Sequence, residues 1–260
     1  MEAKIIKLYK QYNNLSKVSR ELNISRKIVT KVVKDAGIQI PKHTYIYNED
    51  VFNVIDTEEK AYWLGFLYAD GSICRNEVSL GLHTQDENHI LKFKLFMGYE
   101  APIRYTKPKC CRIFITNKYI AEDLIDKGCF RRKSSILKFP TESQVPNHLI
   151  HHFMRGYFDG DGCLSKYIKR NRYSFSVLGT HEFISKYQDI LINECGCNKT
   201  KLGQRHPDRP NNNYTLAYGG RESIKNILNF LYKDATIYLD RKYDKYLQFI
   251  EDYNKVYDIV

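Results

Sequence analysis

Two segments of this chain are variants of one another, and that duplication limits its possible folds more than any other feature. The first is Trp63-Leu64-Gly65-Phe66-Leu67-Tyr68-Ala69-Asp70-Gly71, and the second is Met154-Arg155-Gly156-Tyr157-Phe158-Asp159-Gly160-Asp161-Gly162. Small residues recur four apart in each, Gly65 with Ala69 and Gly156 with Gly160, so on a helix they form one smooth strip. Helix-start signals precede both: Asp56-Thr57-Glu58-Glu59 resembles a capping box, and Pro146-Asn147 suits a first turn. Both end in Asp-Gly, where glycine permits a helix-terminating conformation. Two smooth strips predict two helices in close backbone contact, as in small-xxx-small packing, with Gly65 and Gly156 at the interface. Their C-termini then lie together and bring Asp70 beside Asp161.

Two carboxylates at two negative helix ends repel each other. A hard divalent cation such as Mg²⁺ resolves this, being held by carboxylate, backbone carbonyl and water oxygens. That donor set assigns metal binding to Asp70, Asp161, Ala69 and Gly160. Such an ion also activates water and stabilises the leaving oxygen of a phosphodiester. A single Asp-Gly helix end merely closes a helix; two in matching contexts point to a site.

The repeat continues past both segments. Val78, Leu80 and Leu82 alternate with Ser79, Gly81 and His83, and Phe175 and Val177 alternate with Ser174 and Ser176. Ile113 and Ile115 bracket Phe114, and Tyr214, Leu216 and Tyr218 alternate with Thr215 and Ala217. These are strands with one apolar face. Helices are predicted near 87–97, 118–127, 181–194 and 221–233. Arg132-Lys133-Ser134 and Arg241-Lys242-Tyr243 occupy corresponding places. The fold class is therefore α/β (α+β), a pseudo-two-fold pair of αββαββα halves over 56–142 and 143–260.

The front of the chain differs. Residues 1–48 hold ten Lys/Arg against three Asp/Glu, a surplus of +7 within a net charge of +11. Such a surplus attracts polyanions, nucleic acid first. A helix over 3–12 breaks at Asn13–Asn14, and Leu15 to Lys34 fits two helices joined by a tight turn. Val18, Leu22, Ile24, Val29 and Val32 sit where a helix-turn-helix buries apolar groups, with Ser19 small at the crossing. Asn23 tolerates the left-handed turn position, Ser25 caps the second helix and Gly37 ends it. That helix exposes Arg26, Lys27, Thr30, Lys31 and Lys34 to a DNA major groove. Residues 1–40 thus form a small all-helical domain, followed by a linker over 41–55 that contains Pro41.

With 43% hydrophobic and 27% charged residues, the chain is composed to fold rather than to stay disordered. No apolar run of about 18 residues implies a membrane span. The N-terminus lacks a signal-peptide core. The seven cysteines form no CxxC pair, since Cys110 and Cys111 are adjacent and one residue separates Cys195 from Cys197. They are expected to be reduced thiols of an intracellular protein. His148, His151 and His152 cluster before the second segment, but structural or solvated roles fit them better than zinc.

The segments WLGFLYADG and MRGYFDGDG resemble the paired motifs of LAGLIDADG homing endonucleases, over about residues 56–250. The resemblance implies two saddle-shaped antiparallel sheets straddling DNA, with the motif helices at their junction. It implies that Asp70 and Asp161 hold Mg²⁺ (Mn²⁺ or Ca²⁺ substituting for binding) between the scissile phosphates across the minor groove. It further implies short 3′ overhangs and basic residues assisting the chemistry. Lys133 and Lys242 are the matched candidates, Lys138 before Pro140 competes with them, and Gln85 orders water. Tyr68 departs from the acidic sixth motif position, which Asp159 keeps. No intein splice residues frame the chain, which suggests a free-standing or intron-encoded enzyme of a mobile genetic element.

The polar strand faces are then expected to read a long, asymmetric double-stranded DNA site, with the chain acting as a monomer. Arg75, His83, Arg104, Lys107, Lys109 and Arg112 are the candidates in the first half. Lys166, Lys169, Arg170, Arg172, Arg205 and Arg209 are those in the second. A non-catalytic DNA-binding regulator and an RNA-splicing maturase are the alternatives. Retention of both carboxylates favours catalysis, because facing DNA phosphates without metal they would weaken binding.

Overall fold

Helical and alternating apolar periods each produce the element they predict. The computed structural model describes residues 1–12, 15–40, 45, 47–130, 135–167, 172–205 and 212–257, except for the side chains of Ser16, Lys107 and Tyr257. The chain divides into two units, Met1–Tyr45 and Ile46–Val260. Among the described residues no helix is long and apolar enough to cross a membrane.

The first unit consists of α1 (Glu2–Tyr12), α2 (Leu15–Glu21) and α3 (Arg26–Asp35). Ile5, Tyr9, Val18, Val29 and Val33 are its buried core, with Leu22, Ile24 and Val32 packed around it. The sequence pattern puts Val32 in the centre. Instead Val33 is innermost, because it shares a helix face with Val29 four residues earlier. Asn23 adopts φ +50° in the turn before α3. Ser19 Oγ donates across that turn to Ile24 O at 2.6 Å. The Ser25 hydroxyl accepts from Lys27 N at 3.2 Å, and Gly37 leaves the helix at φ +70°. The expected break at Asn13–Asn14 lies outside the described residues.

The second unit repeats one topology. Its first half runs α4 (Glu58–Asp70), β1 (Gly71–Cys74), β2 (Glu77–His83), α5 (Glu87–Phe96), β3 (Arg104–Lys107), β4 (Cys110–Thr116) and α6 (Lys118–Asp126). The other runs α7 (Ile150–Asp161), β5 (Gly162–Tyr167), β6 (Arg172–Gly179), α8 (His181–Cys195), β7 (Gly203–Gln204), β8 (Tyr214–Gly219) and α9 (Arg221–Tyr232), then adds α10 (Asp240–Tyr257). The strands form two antiparallel sheets, ordered β1-β2-β4-β3 and β5-β6-β8-β7. In each sheet one face carries the apolar residues, such as Val78, Leu80 and Ile113 or Phe175, Val177 and Leu216, into a shared core. Residues 47–55 do not behave as an exposed linker. Val51, Phe52 and Ile55 are buried in that core, and Tyr47 packs against it.

α4 and α7 lie at the centre, buried on nearly every side, with Ala61 to Tyr68 and His152 to Asp159 inaccessible. Their approach depends on glycine. A Cβ on Gly65 would stand 2.0 Å from Phe153 O, and one on Gly156 would stand 2.0 Å from Tyr62 O. Both distances are impossible contacts, so at these points the two backbones touch directly.

Polar contacts lock the halves together. The fully buried Arg155 donates to Ile237 O at 3.0 Å, Leu231 O at 3.0 Å and Glu58 Oε1 at 2.6 Å. Thr57 caps α4 by accepting from Lys60 N at 3.3 Å. No acidic residue closes the expected capping box; Glu58 instead reaches across to accept from Thr236 N at 2.7 Å. Removing Glu58 would cost about 3–5 kcal/mol at most, because the fully buried Arg155 would lose its charged partner, whereas Glu58 itself is only half-buried.

The glycine contact is directly testable. Gly65→Val or Gly156→Val forces side-chain atoms between two backbones. Each is expected to lower stability by about 1–3 kcal/mol or more, read from the midpoint of urea unfolding. A variant as stable as the parent would contradict the backbone-to-backbone packing.

Candidate active site at the motif helix ends

The two strips of small residues carry the helix contact through to the C-termini. A Cβ on Gly160 would stand 2.2 Å from Ala69 Cβ and 3.3 Å from Asp70 Oδ2. The Asp70 carboxylate therefore hangs directly beside the last turn of α7, which ends at Asp161. Both carboxylates act on the buried Tyr157 hydroxyl. Burial first, then the charges of Asp161 and Asp70, push its pKa well above the usual tyrosine value. That hydroxyl donates to Leu178 O at 2.9 Å.

Gly71 and Gly162 end the helices in an unexpected way. Neither is left-handed; φ is −72° and −96°, and the chain passes straight from helix into strand. Glycine is needed here for space, since a Cβ would lie 2.5 Å from Leu67 O at Gly71 and 2.5 Å from Phe158 O at Gly162. Each carboxylate is consequently one residue from the first strand of its sheet.

Lys242, in the first turn of α10, is buried against this end of α7. Its Nζ donates to Phe158 O at 2.5 Å and Gly162 O at 2.7 Å. A cation there satisfies terminal carbonyls and opposes the negative end of the helix dipole. Burial is the main influence on the ammonium and brings its pKa down to about 8, while nearby Asp159 and Asp70 pull it upward. Asp159 is fully enclosed and accepts from Tyr62 Oη at 2.7 Å, Leu239 N at 2.7 Å and Tyr232 Oη at 3.2 Å. Its pKa is raised by burial, against the pull of Lys242 and the Leu239 N–H. At the corresponding motif position in α4, the Tyr68 hydroxyl donates to Lys127 O.

α10 also meets the first half. Arg241 Nε donates to both oxygens of buried Asp86, at 2.8 and 3.0 Å, and Lys92 pairs with Asp240 at 2.5 Å. The exposed Gln85 precedes Asp86 in the turn after β2, so the structure brings the turn bearing Gln85 to the helix start bearing Lys242. On the other flank, a cleft of about 230 Å³ is lined by Tyr68, Ala69, Tyr157, Asp161, Thr180, Arg205 and Asn213. Arg205, which the sequence suggests only as a DNA contact, thus borders the Asp161 site.

The remaining candidates are dispersed. Lys138 is exposed and sits 3.4 Å from Glu182, although its neighbour Leu137 lines the cleft. Lys133, Lys169, Arg170, Arg209 and the side chain of Lys107 lie outside the described residues. His83, Arg104 and Arg112 share the sheet face turned away from the core. Arg75 and Lys109 occupy hairpin tips at φ +54° and +63°. Arg172 lies with Arg221 beside Gly219 and Gly220. Lys166 corrects the expectation of a DNA-facing cation, because it points to the helix side of its sheet and pairs with Asp252 at 2.5 Å. In the first unit, Arg26, Lys27, Thr30, Lys31 and Lys34 line one open groove along α3 with Asp35. Thr30 Oγ1 donates to Arg26 O at 2.8 Å.

His152 and His151 stack at 3.8 Å beside Arg155, and burial first, then Arg155, lowers the pKa of each. Among the described residues, no cluster of three or more His, Cys, Asp or Glu is placed to hold a metal ion. A cation at the helix ends would take two carboxylates, with the remaining ligands being carbonyl, water or substrate oxygens. That hard-oxygen set suits Mg²⁺ or Ca²⁺.

No family model matches the chain, and no curated protein matches it in sequence. Solved structures do. The meganuclease I-SmaMI bound to uncleaveable DNA superposes with a TM-score of 0.53 at 15% identity, covering 76% of this chain and 91% of that one. I-SmaMI bound to an uncleaved DNA target in the presence of calcium ions gives 0.52 at 14% identity, covering 76% and 92%. The LAGLIDADG meganuclease I-AabMI bound to uncleaved DNA gives 0.50 at 11% identity, covering 76% and 91%. At such identities the likeness is one of fold, and the fold is that of the LAGLIDADG endonucleases.

Lys242 makes stability depend on pH. An unfolded chain keeps this lysine protonated up to about 10.5, whereas the folded chain releases the proton near 8. Unfolding therefore takes up a proton between those values, so the contribution of Lys242 to stability rises with pH there, opposed from about pH 9 by buried thiols such as Cys195, whose pKa burial pushes up to about 12. Buried tyrosines such as Tyr62 and Tyr232, whose folded pKa values are raised, act in the opposite sense only above about pH 10. In Lys242→Met the rise between pH 8 and 10 is expected to flatten when urea unfolding is followed at each pH. An undiminished rise would contradict the burial of a charged Lys242.

Proposed function

We propose that this chain is a sequence-specific DNA endonuclease that cuts both strands across the minor groove with a divalent metal such as Mg²⁺, leaving short 3′ overhangs. The observation that carries this reading is the convergence of Asp70 and Asp161 at two helix ends joined by glycine contacts. Placing two like charges together is unfavourable unless a cation joins them. The fold adds support, since the neighbours sharing it are by name DNA-bound meganucleases.

Asp70 and Asp161 would hold the metal, with the Ala69 and Gly160 carbonyls as further oxygen ligands. When bound, the ion supplies Lewis-acid activation of water and neutralises charge at the phosphodiester. The chain's own residues do the rest. Lys242 keeps positive charge at the end of α7 through its bonds to Phe158 O and Gly162 O. Gln85 orders water from the turn that Asp86 ties to Arg241. Arg205 offers a guanidinium to a phosphate entering the cleft beside Asp161. Both carboxylates belong to one chain, so a monomer suffices. The first unit acts as a helix-turn-helix, with the α3 cations set into a neighbouring major groove.

In Asp70→Asn and Asp161→Asn, double-strand cleavage with Mg²⁺ is expected to disappear while binding to the target persists. Normal cutting of both strands by either variant would sink the assignment. Deleting residues 1–40 is expected to weaken binding and shorten the segment protected from nuclease digestion. An unchanged footprint would remove the first unit from DNA reading.

A further inference from the structure

The two sheets present different chemistry on their open faces, and the strand register shows where. In the first sheet Arg112 of β4 faces Gly81 of β2 on one side and Arg104 of β3 on the other. The Arg112 side chain lies flat across Gly81, where a Cβ would come 2.4 Å from its Nε. Both guanidinium groups flank the Phe114 ring, with their central carbons 5.2 Å away for Arg104 and 5.9 Å for Arg112. Arg112 Nε has no hydrogen-bond partner among the described residues. Two like charges directly opposed across a strand pair are unfavourable by themselves. An electron-rich partner on that face removes the cost.

Among the described residues the matching level of the second sheet has nothing comparable, and its paired guanidinium groups, Arg172 and Arg221, lie elsewhere, beside Gly219 and Gly220. Gly71 and Gly162 each begin the first strand after a motif helix, and they pair with Leu80 and Val177. Counting from those partners, Leu178 takes the place of Gly81, Thr215 that of Arg112 and Gly203 that of Arg104. Ala217 stands where Phe114 stands. At this level the first face offers two guanidinium forks beside the Phe114 ring, and its counterpart offers none.

We infer that Arg104 and Arg112 read guanine in the major groove of one half-site only, so that guanine dependence at this level is confined to the DNA under the first sheet. The inference rests on the reading of the chain as a DNA-binding endonuclease and adds the base chemistry. Guanine presents two acceptors, N7 and O6, to a single guanidinium fork. Arg112 lies on an inner strand of the open face and Arg104 on the edge strand directly beside it, whereas Arg75 and Lys109 occupy the hairpin tips. The Phe114 ring and the bare Gly81 fix the Arg112 fork in advance, and a pre-set fork discriminates better than a mobile cation.

The test selects binders from a randomised double-stranded DNA library with the full chain in EDTA, and sequences what is recovered. The wild type is expected to enrich guanine at one or two neighbouring positions of one half-site, with no counterpart at the mirrored positions. Arg112→Lys and Arg104→Lys retain charge but lose the fork. Each is expected to lower guanine preference at its own position by about ten- to a hundredfold, while preferences elsewhere in the site remain. Guanine preference unchanged in both lysine variants would overturn the inference and assign these cations to phosphates. Equal guanine enrichment at mirrored positions of the two half-sites would overturn its one-sidedness. Failure of the wild type to enrich any sequence would instead reject DNA reading by this chain altogether, and this inference with it.

Discussion

Everything at the centre of this molecule follows from two helices touching through their backbones. Where Gly65 meets Phe153 O and Gly156 meets Tyr62 O, no side chain separates α4 from α7. The contact continues through Ala69 and Gly160 to the last turns, so the backbones that carry Asp70 and Asp161 are held close without intervening side chains. Because β1 and β5 start at the very next residues, the sheets inherit the same precision. Close packing thus fixes the two carboxylate-bearing helix ends and both sheets in a single step.

Around that contact the two ends are not equivalent. Near α7, the buried Asp159 anchors Leu239 N and two tyrosines, and Lys242 covers the terminal carbonyls. Near α4, the neutral Tyr68 reaches Lys127 O instead. One helix end is stabilised by buried charge and the other by a phenol and aromatic packing, including the edge-on contact of Tyr68 with Phe153. A duplicated architecture has diverged chemically while keeping its backbone, and the differing faces of its two sheets extend the same divergence outward.

Much of this was legible in the sequence, for identifiable reasons. The four-residue spacing of small residues has only one efficient use on a helix, so the position of Asp70 beside Asp161 was readable. Strand alternation showed which faces are apolar, and Asn23 and Ser25 announced the turn and cap before α3. What escaped notice depended on distant partners. Arg155 is an ordinary motif residue until Glu58 and the carbonyls of Leu231 and Ile237 surround it. Lys166 belongs to a basic run, yet strand parity turns it toward Asp252. Gly71 and Gly162 were recognisable as helix ends, but their reason is crowding by the preceding turn rather than left-handed backbone. Arg205 gave no local sign that it borders the cleft.

The reach of Glu58 to Thr236 has a practical side. The boundary between the halves is easily drawn in the connection from α6 to α7, where recombination of relatives would naturally be attempted. The segment from Thr236 to Lys242, however, is bonded to Glu58, Lys92 and Asp86 of the opposite half. A chimera joined at that connection severs those bonds even when each portion is intact. The same segment is bonded to its own half as well, by Arg155 at Ile237 O, Asp159 at Leu239 N and Lys242 at Phe158 O, so it belongs to both portions and no single cut in the sequence parts them cleanly.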